Sequence, residues 1–334
     1  MGHGMERHCH ILAQTKGRST PHLYCRYVID LHTHSNFSDG SDSPAELAQK
    51  AHDLGISAIA LTDHDTTLSH EEMQDACDRL GMELIPGFEV SLRDDQWLKR
   101  LPDGTEKTRS VHVLAYFVPL ESAHPLQRKL ELLRHDRDVR NKELVAVLNG
   151  LGFEKLTLDY LIGLAKNQDS IGRPHFAQAM INLHPEIVGE KTDESWARIF
   201  IEWLGNDGKA YVPKMSMNIE EFTDAAKGTS AVFSIAHPLV NYLSDSSAGA
   251  IEATMPKVLA SLRERGFKGV EAYYGGTDQA TRSLMVKLTR DAGMIPTGGS
   301  DYHGTYKTDV KLGFGKSGDL RVPNEVLDEL KAAR

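Results

Sequence analysis

His32-Thr33-His34-Ser35-Asn36-Phe37-Ser38-Asp39-Gly40 follows directly on the apolar run Tyr27-Val28-Ile29. Side chains alternate along a strand, so His32 and His34 point to the same side. Asp39 adds a carboxylate a few residues on. Imidazole nitrogens with carboxylate oxygens suit Zn, Mn or Fe. A single His-x-His is weak evidence by itself, because such pairs also occur as ordinary strand residues. The weight comes from what recurs downstream.

Other apolar runs end in residues of the same kind. Ile56 to Leu61 runs into Thr62-Asp63-His64-Asp65, and Glu83 to Pro86 into Gly87-Phe88-Glu89. Val111 to Phe117 contains His112, and Ala231 to Ala236 ends at His237-Pro238. Gly269 to Ala272 leads to Tyr273-Tyr274, and Met294 to Thr297 to Gly298-Gly299-Ser300-Asp301-Tyr302-His303. Short apolar runs of this type predict buried parallel strands. Helical patterns separate many of them. Ser43-Pro44-Ala45-Glu46 has an N-cap, a Pro at the first position and an acidic first turn, predicting a helix to Gly55. Others are predicted from about Ser69 to Gly81, over Pro256–Arg265 and over Thr277–Ala292. Strand, polar tip and helix, repeated about seven times, predict an α/β fold of the β/α barrel kind, with function at the C-terminal strand ends. A doubly wound open sheet ranks second, because it gathers ligands from fewer strands.

The stretch 119–213 breaks this rhythm and reads as mostly helical, including an amphipathic run from Pro125 to Asn149 ended by Gly150. The expected layout is a polar extension (1–26), the first part of the barrel (27–118), a helical insert over the C-terminal mouth acting as substrate cap (119–213), and the second part of the barrel (214–334). Residues 93–110 are polar and contain Pro102-Asp103-Gly104, which predicts a hairpin or a loop.

The 334 residues are 40% hydrophobic and 25% charged, ordinary for a globular protein. No apolar run approaches the roughly 20 residues of a membrane span, and the first residues lack the apolar core of a signal peptide. Cys9, Cys25 and Cys77 have neither disulfide nor metal spacing, so a cytoplasmic location is expected. A net charge of -9 argues against a broad basic surface for long duplex nucleic acid. It leaves room for a small anionic substrate, since bound cations reverse the local field. His3, His8, His10 and His22 lie in the polar start and read as part of a tail.

Each candidate has an ordinary alternative. His64 suits a capping role, Glu89 a surface carboxylate, His112 a satisfied core histidine and His237 a turn residue. Asp301 and His303 repeat the two-residue spacing of His32 and His34. Taken together they place a ligand-type residue on nearly every strand tip, which a shared metal site explains most simply.

These residues resemble the polymerase and histidinol phosphatase (PHP) family. His32-Thr33-His34-Ser35 with Ser38-Asp39-Gly40 is similar to its first motif, Thr62-Asp63-His64 to the second, Gly87-Phe88-Glu89 to the third and Ser300-Asp301-Tyr302-His303 to the last. His112 and Ala236-His237-Pro238 fill the positions between. The resemblance implies a distorted seven-stranded barrel with three divalent metal ions (Mn, Fe or Zn). By position, one would take His32, His34, Glu89 and Asp301. A second would share Glu89 with His112 and His237, and a third would take Asp39, His64 and His303. Gly172-Arg173-Pro174-His175 and Gly208-Lys209-Ala210-Tyr211-Val212-Pro213 resemble the subgroup acting on nucleotides with a terminal phosphate, which includes a 3',5'-nucleoside bisphosphate phosphatase and a 5'-to-3' exoribonuclease. The segments before Tyr27 and at 93–110 are longer than the usual pattern.

The implied function is a metal-dependent phosphoesterase on small nucleotides, removing for instance the 3'-phosphate of a nucleoside 3',5'-bisphosphate by attack of a metal-bridging hydroxide. Release of nucleotides from the 5' end of short 5'-phosphorylated RNA is the alternative. Histidinol phosphatase and a non-catalytic metal-binding module rank below both. Asp63, Asp65 and His303 are the candidate proton carriers. Arg173 can hold a phosphate through two parallel hydrogen bonds, with His175 and Lys209 as neighbours. Tyr273 and Tyr274 suit base stacking or core packing equally. No membrane partner is expected, and the oligomeric state is left open.

Overall fold

A computed structural model describes residues 28–101, 104–165 and 168–334. The polar extension, with its four histidines, Cys9 and Cys25, lies outside them, as do Pro102 and Asp103. Seven strands form one sheet in chain order: β1 (Val28–Thr33), β2 (Ile56–Leu61), β3 (Glu83–Arg100), β4 (Glu106–Tyr116), β5 (Val232–Ile235), β6 (Gly269–Tyr274) and β7 (Ile295–Gly299). The helices are α1 (Pro44–Asp53), α2 (His70–Leu80), α3 (Pro125–Gly150), α4 (Leu158–Ala165), α5 (Arg173–Leu183), α6 (Pro185–Val188), α7 (Asp193–Ile199), α8 (Ile219–Asp224), α9 (Pro238–Tyr242), α10 (Ala248–Glu264), α11 (Gln279–Asp291) and α12 (Asn324–Ala332).

The sheet curls until its edges meet. His34 N–H donates to the Tyr302 carbonyl (3.0 Å), and Asp301 N–H donates to the His32 carbonyl (2.9 Å). The buried Asp30 carboxylate reinforces this seam, accepting from Ser300 N–H (2.9 Å), Ser300 Oγ (2.6 Å) and Gly313 N–H (2.8 Å). Seven strands nearly closed into a barrel match the expected class.

The expectation of parallel strands throughout is corrected at β4, which is antiparallel to both β3 and β5. The reason is the turn between β3 and β4. Leu101 N–H donates to Thr105 O (2.8 Å), and Gly104 takes a left-handed φ of 84°. So short a connection can only return antiparallel, because a parallel return needs a crossover of a dozen or more residues. Segment 93–110 is therefore the far end of a hairpin, and no helix follows β3.

Helix ends follow their local chemistry. Ser43 Oγ accepts from Glu46 N–H while the Glu46 carboxylate accepts from Ser43 N–H (2.8 Å), a reciprocal cap. Gly81 closes α2 with φ 68°. α3 includes Gly150, with the break at Gly152 (φ 101°). α10 starts at Ala248 behind the N-cap Ser247, not at Pro256, which lies within the helix. Helices α3 to α7 share an apolar cluster that includes Leu148, Phe153, Phe176, Met180 and Ile199, separate from the barrel clusters.

Candidate metal centre

Glu89 sits at the end of β3's barrel segment, 1% exposed, where side chains from six segments converge. Its Oε2 lies 3.3 Å from His32 Nε2, His34 Nε2 and His64 Nδ1. Its Oε1 lies 2.8 Å from His112 Nδ1 and 3.1 Å from His237 Nε2. Asp301 Oδ1 is 3.6 Å from both His32 Nε2 and His34 Nε2. Asp39 continues the cluster, with Oδ1 3.3 Å from His303 Nε2 and Oδ2 3.7 Å from His64 Nε2. All nine residues expected to bind metal thus come together in space. Donor atoms of eight of them, all but His237, fall into three compact groups: His34-Asp39-His64-His303, His32-His34-Asp301 and His64-Glu89-His112.

The surroundings orient these donors. His32 Nδ1 lies 2.7 Å from the buried Glu271 Oε1, so its proton sits there and Nε2 turns a lone pair inward. His303 Nδ1 is 2.8 Å from the Asp301 carbonyl, so its Nε2 likewise faces Asp39 as an acceptor. In these neutral tautomers the inward lone pairs face carboxylate oxygens. His34 Nδ1, Asp39 Oδ1 and His237 Nδ1 are buried without a hydrogen-bond partner. Such a set is costly unless cations fill it, and nitrogen with oxygen donors suits divalent transition metals. The residues present therefore fit metal ions. Burial opposes ionisation of Glu89, but His64, His112 and His32 hold its carboxyl well below the usual range. Burial likewise opposes charge on His32, but Glu271 and Glu89 hold it well above its own range, so without cations the cage draws in protons in their place. Burial pushes His64 down to about 3, keeping it neutral as a ligand must be.

Among the described residues, four other than glycine take a positive φ, and three of them line the cavity: Asp65 (56°), His237 (25°) and Asp301 (59°). Strained backbone at a site marks side chains held for use. Asp301 is held further by Lys307 Nζ (2.7 Å) and Tyr274 OH (3.1 Å).

A basic wall belongs to the same cavity, whose volume is about 440 Å³. Arg137 and Arg140 come from α3, Arg173 from the start of α5, and Lys214 from the segment before α8. Burial and the neighbouring Arg173 pull the Lys214 amine down to about 7, from an ordinary value of 10.5. The amine is then charged below about pH 7 and neutral above it. For an anionic substrate, kcat/KM is expected to fall several-fold as pH rises through 7, and Lys214→Arg to flatten that limb. Parallel pH profiles for the two proteins check this.

The other expected site residues divide. Asp65 lines the cavity and is paired with Arg137. His303 and Arg173 line it too. Asp63 does not. Its oxygens accept from Ser35 N–H (2.7 Å), Ser35 Oγ (2.6 Å), Ser38 Oγ (2.7 Å) and Ser69 Oγ (2.6 Å), so it staples loops rather than carrying protons. His175 is buried behind the cavity and accepts the Gly172 N–H at Nδ1 (3.0 Å), capping α5. Lys209 is exposed and stacks over Trp203, 4.5 Å from its ring centre, away from the cavity. Tyr274 faces the cavity, whereas Tyr273 packs against a barrel cluster.

Sequence reasoning missed Arg137, Arg140, Lys214, Lys307 and Glu271. A signal existed for the first two: Leu133, Asp136, Arg137 and Arg140 form one stripe of α3 at helical spacing, and all line the cavity.

The model of the PHP domain family matches residues 30–233, more than half of the chain. The chain belongs to the PHP-domain family. Among its relatives, a 5'-3' exoribonuclease of Haemophilus influenzae is 25% identical over 274 residues, covering 82% of this chain and 89% of the relative. A 3',5'-nucleoside bisphosphate phosphatase of Chromobacterium violaceum is 26% identical over 276 residues, covering 82% and 87%. A solved structure of a candidate metal-dependent phosphoesterase from Bifidobacterium adolescentis superposes with a TM-score of 0.72 at 27% identity, covering 91% of this chain and 96% of that one. The PHP assignment, the donor cage and these neighbours make this chain a metal-dependent phosphoric ester hydrolase. No helix among the described residues is long and apolar enough to cross a membrane.

Proposed function

We propose that the enzyme hydrolyses a phosphate ester of a small nucleotide, such as the 3'-phosphate of a nucleoside 3',5'-bisphosphate, in the cytoplasm and with three divalent ions (Mn, Fe or Zn). The observation that carries this is a carboxylate and imidazole cage facing Arg137, Arg140, Arg173 and Lys214 across one cavity of about 440 Å³. That volume lies in the range of small-ligand sites, roughly 300–1,000 Å³. Two anionic groups of one nucleotide have two distinct places to bind. The proposed ligand sets are His32, His34, Glu89 and Asp301; Glu89, His112 and His237; and Asp39, His64 and His303. The three compact donor groups support these sets in part: His32, His34 and Asp301 fall together, as do Glu89 and His112, and Asp39, His64 and His303, while His237 joins through its approach to Glu89 Oε1.

Divalent ions bound there supply positive charge that steadies the phosphoryl oxygens and makes water more acidic. The chain's own residues do the rest. Arg173 holds the second phosphate, and Arg140 and Lys214 add charge that grows in effect as water is excluded. Lys307 and Tyr274 keep Asp301 ionised and oriented. His303 Nε2 and the Asp65 carboxylate are the remaining candidates for proton transfer. Segment 119–213 acts as the cap, since α3 and α5 deliver the guanidinium groups.

Arg173→Ala is expected to raise KM for a nucleoside bisphosphate about 10-fold or more, the loss of one charge-assisted bidentate contact, with metal content unchanged. Steady-state kinetics beside metal analysis check it, and equal KM values would take Arg173 out of the site. A second reading, exonucleolysis from the 5' end of short RNA, is favoured by one feature. The linings of the cavity and of a second groove share Lys214 and Val240. Turnover of the bisphosphate against a 5'-phosphorylated oligoribonucleotide, with products identified by mass, separates the two.

A further inference from the structure

The second groove, of about 880 Å³, adjoins the catalytic cavity at Lys214 and Val240 and lies along the far end of the β3–β4 hairpin. It is lined by Arg93, Lys99, Arg100, Lys107, Arg109 and Lys214, with Asp245 as the only lining carboxylate among the described residues. Counting also Asp95, which pairs with Arg93, Asp207, which pairs with Lys99 and Lys107, and Glu106, which stands opposite Arg100, cations still outnumber carboxylates six to four among the described residues. This is a local excess in a chain of net charge -9. Lys99 and Lys107 stand directly opposite each other on paired strands. Like charges so placed repel; one carboxylate, Asp207, is shared between the two, and both side chains face the groove. Arg109 reaches only the Asn241 carbonyl (3.2 Å), and its Nε is buried without a partner. Arg100, Arg109 and Lys214 have no ion-pair partner among the described residues. Tyr211, 47% exposed, offers a ring on the same wall.

We propose that this groove binds the body of a single-stranded polynucleotide whose terminal phosphate lies in the catalytic cavity. Basic side chains beside an exposed aromatic ring are what a strand of phosphates and bases requires. Lys214 and Val240 line both spaces, which sets the groove beside the cavity that would hold the terminal phosphate. The proposal rests on the phosphoesterase reading and adds the substrate's length and the path it follows.

The test uses metal-loaded protein and a 5'-phosphorylated, phosphorothioate-linked decamer, as RNA and as DNA, with binding read by fluorescence anisotropy. In a Lys99→Gln, Arg100→Gln and Lys107→Gln combination, decamer affinity is expected to fall about 10-fold near 0.1 M salt. The slope of log affinity against log salt should shrink by about 2, at roughly 0.7 per lost contact. Tyr211→Ala should weaken the decamer about 5-fold or more. Turnover of a nucleoside bisphosphate should be unchanged in the triple variant, which also shows that it folds. If no phosphoester is hydrolysed by any form, the phosphoesterase reading fails, while the anisotropy and a thermal melt still decide the groove. Equal losses on RNA and DNA assign the groove to the phosphodiester backbone, and a loss on RNA alone adds the ribose hydroxyl. A triple variant that binds both decamers like the parent, or a polyglutamate peptide held more tightly than either, overturns the proposal.

Discussion

Glu89→Gln is expected to lower turnover by about 1,000-fold or more and to reduce bound metal. The side chain keeps its shape, so β3 and its register should survive. What goes is the negative charge that five histidine rings approach within 3.3 Å. An amide offers a weaker oxygen donor and turns N–H groups toward nitrogens that already present lone pairs. Metal ions contribute several kcal/mol to phosphoryl transfer, and each 1.36 kcal/mol is a factor of ten in rate. Turnover with a bisphosphate substrate, metal analysis and a thermal melt together check this. A normal melt with lost metal and lost activity is the expected result. Unchanged metal content would remove Glu89 from the centre of the site.

Gly299→Ala is expected to destabilise the protein by about 3 kcal/mol and to damage the site along with the fold. A Cβ at this position would lie 2.4 Å from both Cβ and backbone N of His32. The neighbouring atoms belong to a strand and cannot swing aside. β1 and β7 would have to part, breaking the Asp301 N–H to His32 carbonyl bond that seats two proposed ligands. Urea unfolding of the variant should show a lower midpoint with an unchanged slope. A midpoint equal to that of the parent would mean that the seam is looser than the close approach indicates.

These effects show which parts of the molecule could be read in advance. Period-two placement put His32 and His34 on one side of a strand, and His64, Glu89, His237, Asp301 and His303 each ended an apolar run. Buried strands therefore announced both themselves and their tips. The direction of β4 was hidden, because an apolar run reads the same for either direction and only the turn at Gly104 decides it. His112 could be picked out as a site residue while the orientation of its strand could not. Lys209 misled for a reason visible in the packing. Gly208 lies so close to Trp203 that a Cβ would meet its carbonyl oxygen at 2.6 Å, and Lys209 covers the same ring. That glycine and lysine serve a packed corner rather than a phosphate. Arg137 and Arg140 escaped notice because charged residues on a long helix usually belong to its solvated face. Only the position of α3 beside the barrel mouth shows that their stripe faces the cavity. The Gly298-Gly299 pair, placed after the apolar run in the polar tip, belongs to β7 and marks strands brought too close for side chains.

The most direct measurement is the metal retained per chain after purified protein is loaded with Mn and desalted, read by mass spectrometry beside phosphoesterase turnover. Three ions per chain, lost together with activity on chelation and regained together on reloading, are predicted. Full activity with no ion retained, and no response to the chelator, would contradict the account.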